Sequence, residues 1–105
     1  MTLTFTDGNV TTDGTEQTLF DTTADALFAT WLFTHNMASG DSITVKIYVY
    51  DNNATTLRLY ETVALTDAQS DPAMFIPFIP TNEYKVSIQR TAGADRNYTW
   101  QRIQA

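Results

Sequence analysis

From Ser42 to Tyr50 the chain alternates strictly. Ile43, Val45, Ile47 and Val49 fall on one face, and Thr44, Lys46, Tyr48 and Tyr50 on the other. A period of two is the signature of a half-buried β-strand. Asp51-Asn52-Asn53-Ala54 follows with turn residues, and Thr56 to Leu65 returns as the partner strand. Strict alternation in that return groups Glu61 with Leu57, Leu59, Val63 and Leu65. A bulge near Glu61, or an exposed strand end, is therefore expected. The expected core is Ile43, Val45, Ile47, Val49, Leu57, Leu59, Val86 and Ile88.

The remaining segments read the same way. Met74 to Pro80 is almost wholly apolar, and Pro77 cannot donate a ladder hydrogen bond, so an edge or bulged strand is expected there. Glu83 to Thr91 alternates with Tyr84, Val86 and Ile88 inward, Ala92-Gly93-Ala94-Asp95 turns, and Asn97 to Gln104 runs back. Near the start, Leu3 and Phe5 alternate with threonines, Gly8 and Gly14 mark turns, and Thr18-Leu19-Phe20 fits a short strand. One stretch is open: Ala24, Leu27, Phe28, Trp31 and Leu32 sit at helical spacing, yet Leu27 to Thr34 also alternates as a strand. The β-rich surroundings favour the strand. The sum is an all-β fold, a single domain over residues 1–105. Seven to eight short strands are expected in an antiparallel β-sandwich of jelly-roll or immunoglobulin-like order.

Composition strengthens this picture and narrows the chemistry. Threonine, isoleucine, valine, tyrosine and phenylalanine recur throughout, the types that fit a pleated surface. With 43% hydrophobic and 17% charged residues the chain is globular rather than disordered. There is no cysteine, which excludes disulfides, thiol nucleophiles and zinc–thiolate sites. A net charge of -6 opposes binding to nucleic acid or to an anionic membrane, so neither is an expected partner. The first residues carry neither the basic nor the apolar region of a signal peptide, and no run approaches the ~20 apolar residues of a membrane span, so synthesis and folding in a cytoplasm are expected.

No constellation points to catalysis. His35 is the one histidine, lies before a turn and has no nucleophile motif beside it. Asp7, Asp13, Asp51, Asp67, Asp71 and Asp95 fall in turns, where aspartate bonds its own backbone. Asp51 to Thr55 spaces oxygens like a calcium loop but lacks the glycine and closing glutamate, and the glycosylation sequons at Asn9, Asn53 and Asn97 are chance matches in a threonine-rich chain. No enzyme activity, catalytic residue, metal or cofactor is expected. Binding is. Tyr48 and Tyr50 should face away from the core, and Met74 to Ile79 has apolar residues on both faces. Tyr48, Tyr50, Met74, Phe75 and Phe78 are thus the expected contact residues. A sugar platform of Tyr48, Tyr50 and Trp100 is the alternative use of the same rings.

Several pieces occur in a telling order: Gly14-Thr15-Glu16-Gln17, Asn36-Met37-Ala38-Ser39-Gly40-Asp41, Ala68-Gln69-Ser70-Asp71-Pro72, and Tyr84 to Gly93 with Arg96 and Trp100. Over roughly residues 14 to 103 the chain resembles a family of small β-sandwich proteins encoded among the virion structural genes of tailed bacteriophages. It departs from that family in the Asp51-Asn52-Asn53 turn, usually glycine-rich, and in the aromatic strand with Phe28, Trp31 and Phe33. The resemblance implies a virion location after synthesis in the host cytoplasm. With that structural role, homo-oligomers and partners among the major capsid or other virion proteins are expected. Head decoration or cementing is the first expected place, and the neck or tail the second.

Overall fold

The computed structural model describes residues 2–51 and 56–105, and six strands carry most of them. They are β1 (Thr4–Thr11), β2 (Gln17–Phe33), β3 (Ser42–Asp51), β4 (Thr56–Thr66), β5 (Ala73–Ala92) and β6 (Asn97–Gln104). All pairings are antiparallel, and the strands form one sheet in the order β1-β6-β2-β5-β3-β4. The all-β antiparallel expectation holds. The strand count is six rather than seven to eight, and hydrogen bonding joins the strands into one sheet. The difference arises in β2 and β5, 17 and 20 residues long. Thr18-Leu19-Phe20 and Leu27 to Phe33 are one strand, as are Met74 to Pro80 and Glu83 to Thr91. The open stretch from Ala24 to Leu32 is strand throughout.

These two strands bend without breaking. Their mutual register shifts between Thr18 and Phe20, between Thr23 and Ala26, and between Phe28 and Thr30. At the last shift β5 carries the extra residue, placing Pro77 and Phe78 opposite Ala29, so the proline falls where no ladder donor is required. β6 pairs only with the Phe28–Phe33 part of β2, and β3 only with the Tyr84–Ala92 part of β5. The sheet therefore has two halves. In one, β1, β6, late β2 and early β5 lie side by side; in the other, early β2, late β5, β3 and β4 do so.

Aromatic side chains fill the interior where the halves meet. Phe20, on early β2, lies 5.0 Å from Trp100 on β6 and 5.5 Å from Tyr84 on β5, while Phe28 stacks on Tyr84 at 5.1 Å. Such contacts add about 0.5–1.5 kcal/mol each beyond the area they bury. The Tyr84 hydroxyl is paired with Thr30 Oγ1 at 3.0 Å, which satisfies both polar groups; burial pushes its pKa up to about 12. Ile43, Val45, Ile47, Val86 and Ile88 complete the core as the alternation requires. Gly8 permits the approach of Trp100, since a Cβ there would stand 2.2 Å from the indole ring.

Three expected core members sit differently. Leu59 is 52% exposed and Leu57 half-buried, because Ile47 pairs with Glu61 while Tyr48 pairs with Leu59. Tyr60 is the extra residue, so the bulge expected near Glu61 is present. It moves Leu57 and Leu59 to the face opposite Val63 and Leu65. Val49 is half-buried at the strand's end. The expected turn at Asp51 to Ala54, the oxygen pattern through Thr55 and the Asn53 sequon lie outside the described residues, apart from Asp51.

Candidate contact surfaces

In the half built on β6, odd-numbered residues of β1, β6 and late β2 share the face opposite the aromatic core, with Ala29 and Ile103 themselves buried there, and three cross-strand rows result. Phe5 pairs with Ile103, which pairs with Ala29 opposite Pro77 and Phe78. Asp7 pairs with Gln101, then Trp31, then Phe75; Asn9 pairs with Thr99, then Phe33, then Ala73. Trp31 packs on Phe75 at 4.6 Å and on Phe33 at 6.3 Å. None of these rings belongs to the buried core, and Phe5, Phe75 and Phe78 are 55%, 38% and 41% exposed. Among the described residues the three rows hold one charged side chain, Asp7. A cluster of aromatics on an otherwise uncharged face is a surface that gains by being covered.

Of the five expected contact residues, this surface unites Phe75 and Phe78. Met74 does not join them. It pairs with Leu32 and packs against the core, because alternation turns it inward when Phe75 points out. The sequence reading missed Trp31, Phe33 and Phe5 as contact residues. Their signal was present, since Trp31 and Phe33 share a face opposite the Phe28 and Leu32 face. It could not be used without knowing which face was buried.

Tyr48 belongs to the other half's outer face and is already engaged. Its hydroxyl donates to Glu16 Oε2 at 2.7 Å, Ser87 Oγ donates to the same oxygen, and Lys85 Nζ stands 5.0 Å over the ring. These hydrogen bonds, Ser87 first and Tyr48 second, hold the Glu16 carboxyl below its usual pKa; the Glu16 bond chiefly pushes the Tyr48 phenol up. Tyr50 is half-buried and lines an open cleft of about 560 Å³ with Asp25, Val49, Tyr60 and Ile79. Trp100, 9% exposed and packed on Phe20, does not form a platform with either tyrosine.

At one end of the sheet, Asp41 ties two turns together. Its carboxylate accepts from Ala38 N at 2.8 Å, Ala94 N at 3.1 Å and the Arg96 guanidinium. The Ala38 amide and then Arg96 hold its pKa down to about 2. Gly93 closes the cluster at φ +84°, where a Cβ would stand 2.3 Å from Asp41 Oδ1. The Asn36 to Asp41 and Tyr84 to Arg96 pieces thus meet in one structural clasp. His35 is exposed in the neighbouring turn.

Sequence comparison finds no matching family model and no matching curated protein. Structural comparison does find relatives of the fold. A chain of the disulfide-linked pili that form Bacillus endospore appendages superposes with a TM-score of 0.64 at 15% identity, covering 98% of this chain and 85% of that one. The VP2 chain of the infectious bursal disease virus subviral particle gives 0.57 at 17% identity, covering 98% of this chain and 32% of that one. This chain thus spans about a third of the viral protein. At these identities the likeness is one of fold.

Proposed function

We propose that this chain is a virion structural protein that docks in many copies on a tailed-phage particle, as a decoration or cement protein bound to the major capsid protein. The observation that carries this reading is the outward aromatic face of Trp31, Phe33, Phe75 and Phe78, with Phe5 at its margin. A monomer gains nothing from holding these rings in water, whereas a lattice of partners covers them and adds up individually weak contacts. Both structural neighbours come from assemblies, a pilus and a viral particle. The pilus is disulfide-linked, but this chain has no cysteine, so its own contacts cannot be disulfides. Counting β2 and β5 as two segments each gives the eight-strand pairing pattern of a jelly roll, which we infer as the architecture. The resemblance to phage structural proteins favours the virion, and the acidic charge suits a surface position away from the genome.

This reading gives the chain no catalytic role and no cofactor. It is tested by mass spectrometry of purified particles and by adding the purified chain to particles that lack it. Saturable binding that Phe75→Ser weakens supports it; absence of the chain from particles, with no binding on addition, overturns it. Glycan-array binding lost on Tyr50→Ala would instead move the function to the cleft beside Tyr60.

A further inference from the structure

The sheet leaves four stretches of strand edge without a partner among the described residues: β1, early β2, early β5 and β4. An open edge presents a row of unpaired N–H and C=O groups, and proteins blunt such edges with prolines, bulges and charges. Three of the four are blunted. Early β5 carries Pro77, Pro80 and a bulge; β4 carries the Tyr60 bulge with Arg58 and Glu61 beside it; early β2 carries Asp21 between two register shifts. β1 has none of these guards. Its eight residues pair with β6 from Thr4–Gln104 to Thr11–Asn97 without a shift, and it holds no proline, no lysine and one charge, Asp7.

We propose that β1 is the docking edge for a second copy of this chain, pairing antiparallel with its counterpart about a two-fold axis at Gly8. The strand is self-complementary in that arrangement. Phe5 stands opposite the second copy's Thr11, Thr6 opposite Val10, and Asp7 opposite Asn9, so no like charges meet in a chain whose net charge is -6. A parallel arrangement in register stacks Asp7 on Asp7. The axis falls on the position without a side chain, where Trp100 already lies beneath the backbone. The two-fold closes the contact, and the outward rows of both copies, Phe5 included, run on across one extended sheet. A strand edge of this length covers less than the ~800 Å² per partner of a standard stable interface, so the dimer is concentration-dependent.

The contact meets the aromatic docking face only at Phe5, and sedimentation of the free chain separates the two. Wild type is expected to shift from monomer to dimer as concentration rises, and amide exchange across residues 4–11 is expected to slow with it. Asn9→Asp keeps the oxygen that accepts from Asn97 Nδ2 but places carboxylates opposite each other twice per dimer. It is expected to weaken the dimer about fivefold, and Asn9→Lys, facing Asp7, to strengthen it by a similar factor. Phe75→Ser should leave the dimer unchanged. A monomer up to millimolar concentration, equal dimerisation by both Asn9 variants, exchange in β1 that ignores concentration, or a dimer lost on Phe75→Ser each overturns the proposal.

Discussion

The two outer faces of the sheet both carry large rings, and they treat Tyr48 and the Trp31 cluster in opposite ways. On the β3 side, Tyr48 has its hydroxyl bound by Glu16 and its ring beneath Lys85, and Ser87 shares the same carboxylate. On the β6 side, the ring contacts of Trp31, Phe33 and Phe75 among the described residues are with one another. A ring whose polar neighbours are satisfied within the chain contributes to the fold; a cluster with no such neighbours is spare surface. Exposure alone does not separate the two cases, but the hydrogen-bond partners do.

The strongest test removes the interior that both faces share. Val45→Asp places an unpaired carboxylate where the side chain is wholly buried, at a cost of several kcal/mol against a total stability of about 5–15. It is expected to abolish soluble folding, measured by yield and by the far-ultraviolet spectrum, and a folded, soluble variant would show the faces to be reversed. The aromatic face comes next. Phe75→Ser is expected to weaken particle binding by about 2 kcal/mol, roughly 30-fold, while leaving the thermal transition nearly unchanged. Lys46→Ala, on the Tyr48 side, serves as the control and should bind as wild type does.

Tyr48→Phe sharpens the contrast further. It deletes only the hydroxyl that donates to Glu16, so about 1 kcal/mol of stability is expected to go and particle binding to stay. Reduced binding with unchanged stability would make Tyr48 a contact residue after all. The smallest effect is the pH dependence of that same cluster. Because the folded state holds the Glu16 pKa below its ordinary 4.5, its contribution is complete above that value and fades as pH falls through and below it. The melting temperature of wild type and that of Glu16→Gln should therefore converge between pH 7 and 3. A gap that widens on acidification would mean the carboxylate is not the favoured form.

Much of this was legible in the residues. The Ile43 to Val49 alternation, the Glu61 conflict and the Pro77 interruption each named a real feature: a core strand, a bulge and an edge. Leu57 and Leu59 misled because a single extra residue, Tyr60, inverts every side chain beyond it, and periodicity does not say on which side of the bulge the core lies. The same blindness hid the outward aromatic face. Phe28 and Leu32 oppose Trp31 and Phe33 with equal apolar weight, and only packing against Tyr84 and pairing with Trp100 decided which set went inside.

By itself, then, the sequence determined local things: β-structure from its branched and aromatic residues, turns at Gly40 and Gly93, the exclusion of disulfides by its lack of cysteine, and an acidic net charge. Tertiary structure decided what depends on distant partners. It joined four expected strands into two long ones, because register shifts between β2 and β5 let the pairing continue past the expected breaks. It turned Met74 inward and left Phe75 in water, it bound Tyr48 to Glu16 across 32 positions of chain, and it left β1 as an unguarded edge. Alternation fixes that there are two faces. Which one is covered is settled by the element that arrives on top of it, and that element is written elsewhere in the chain.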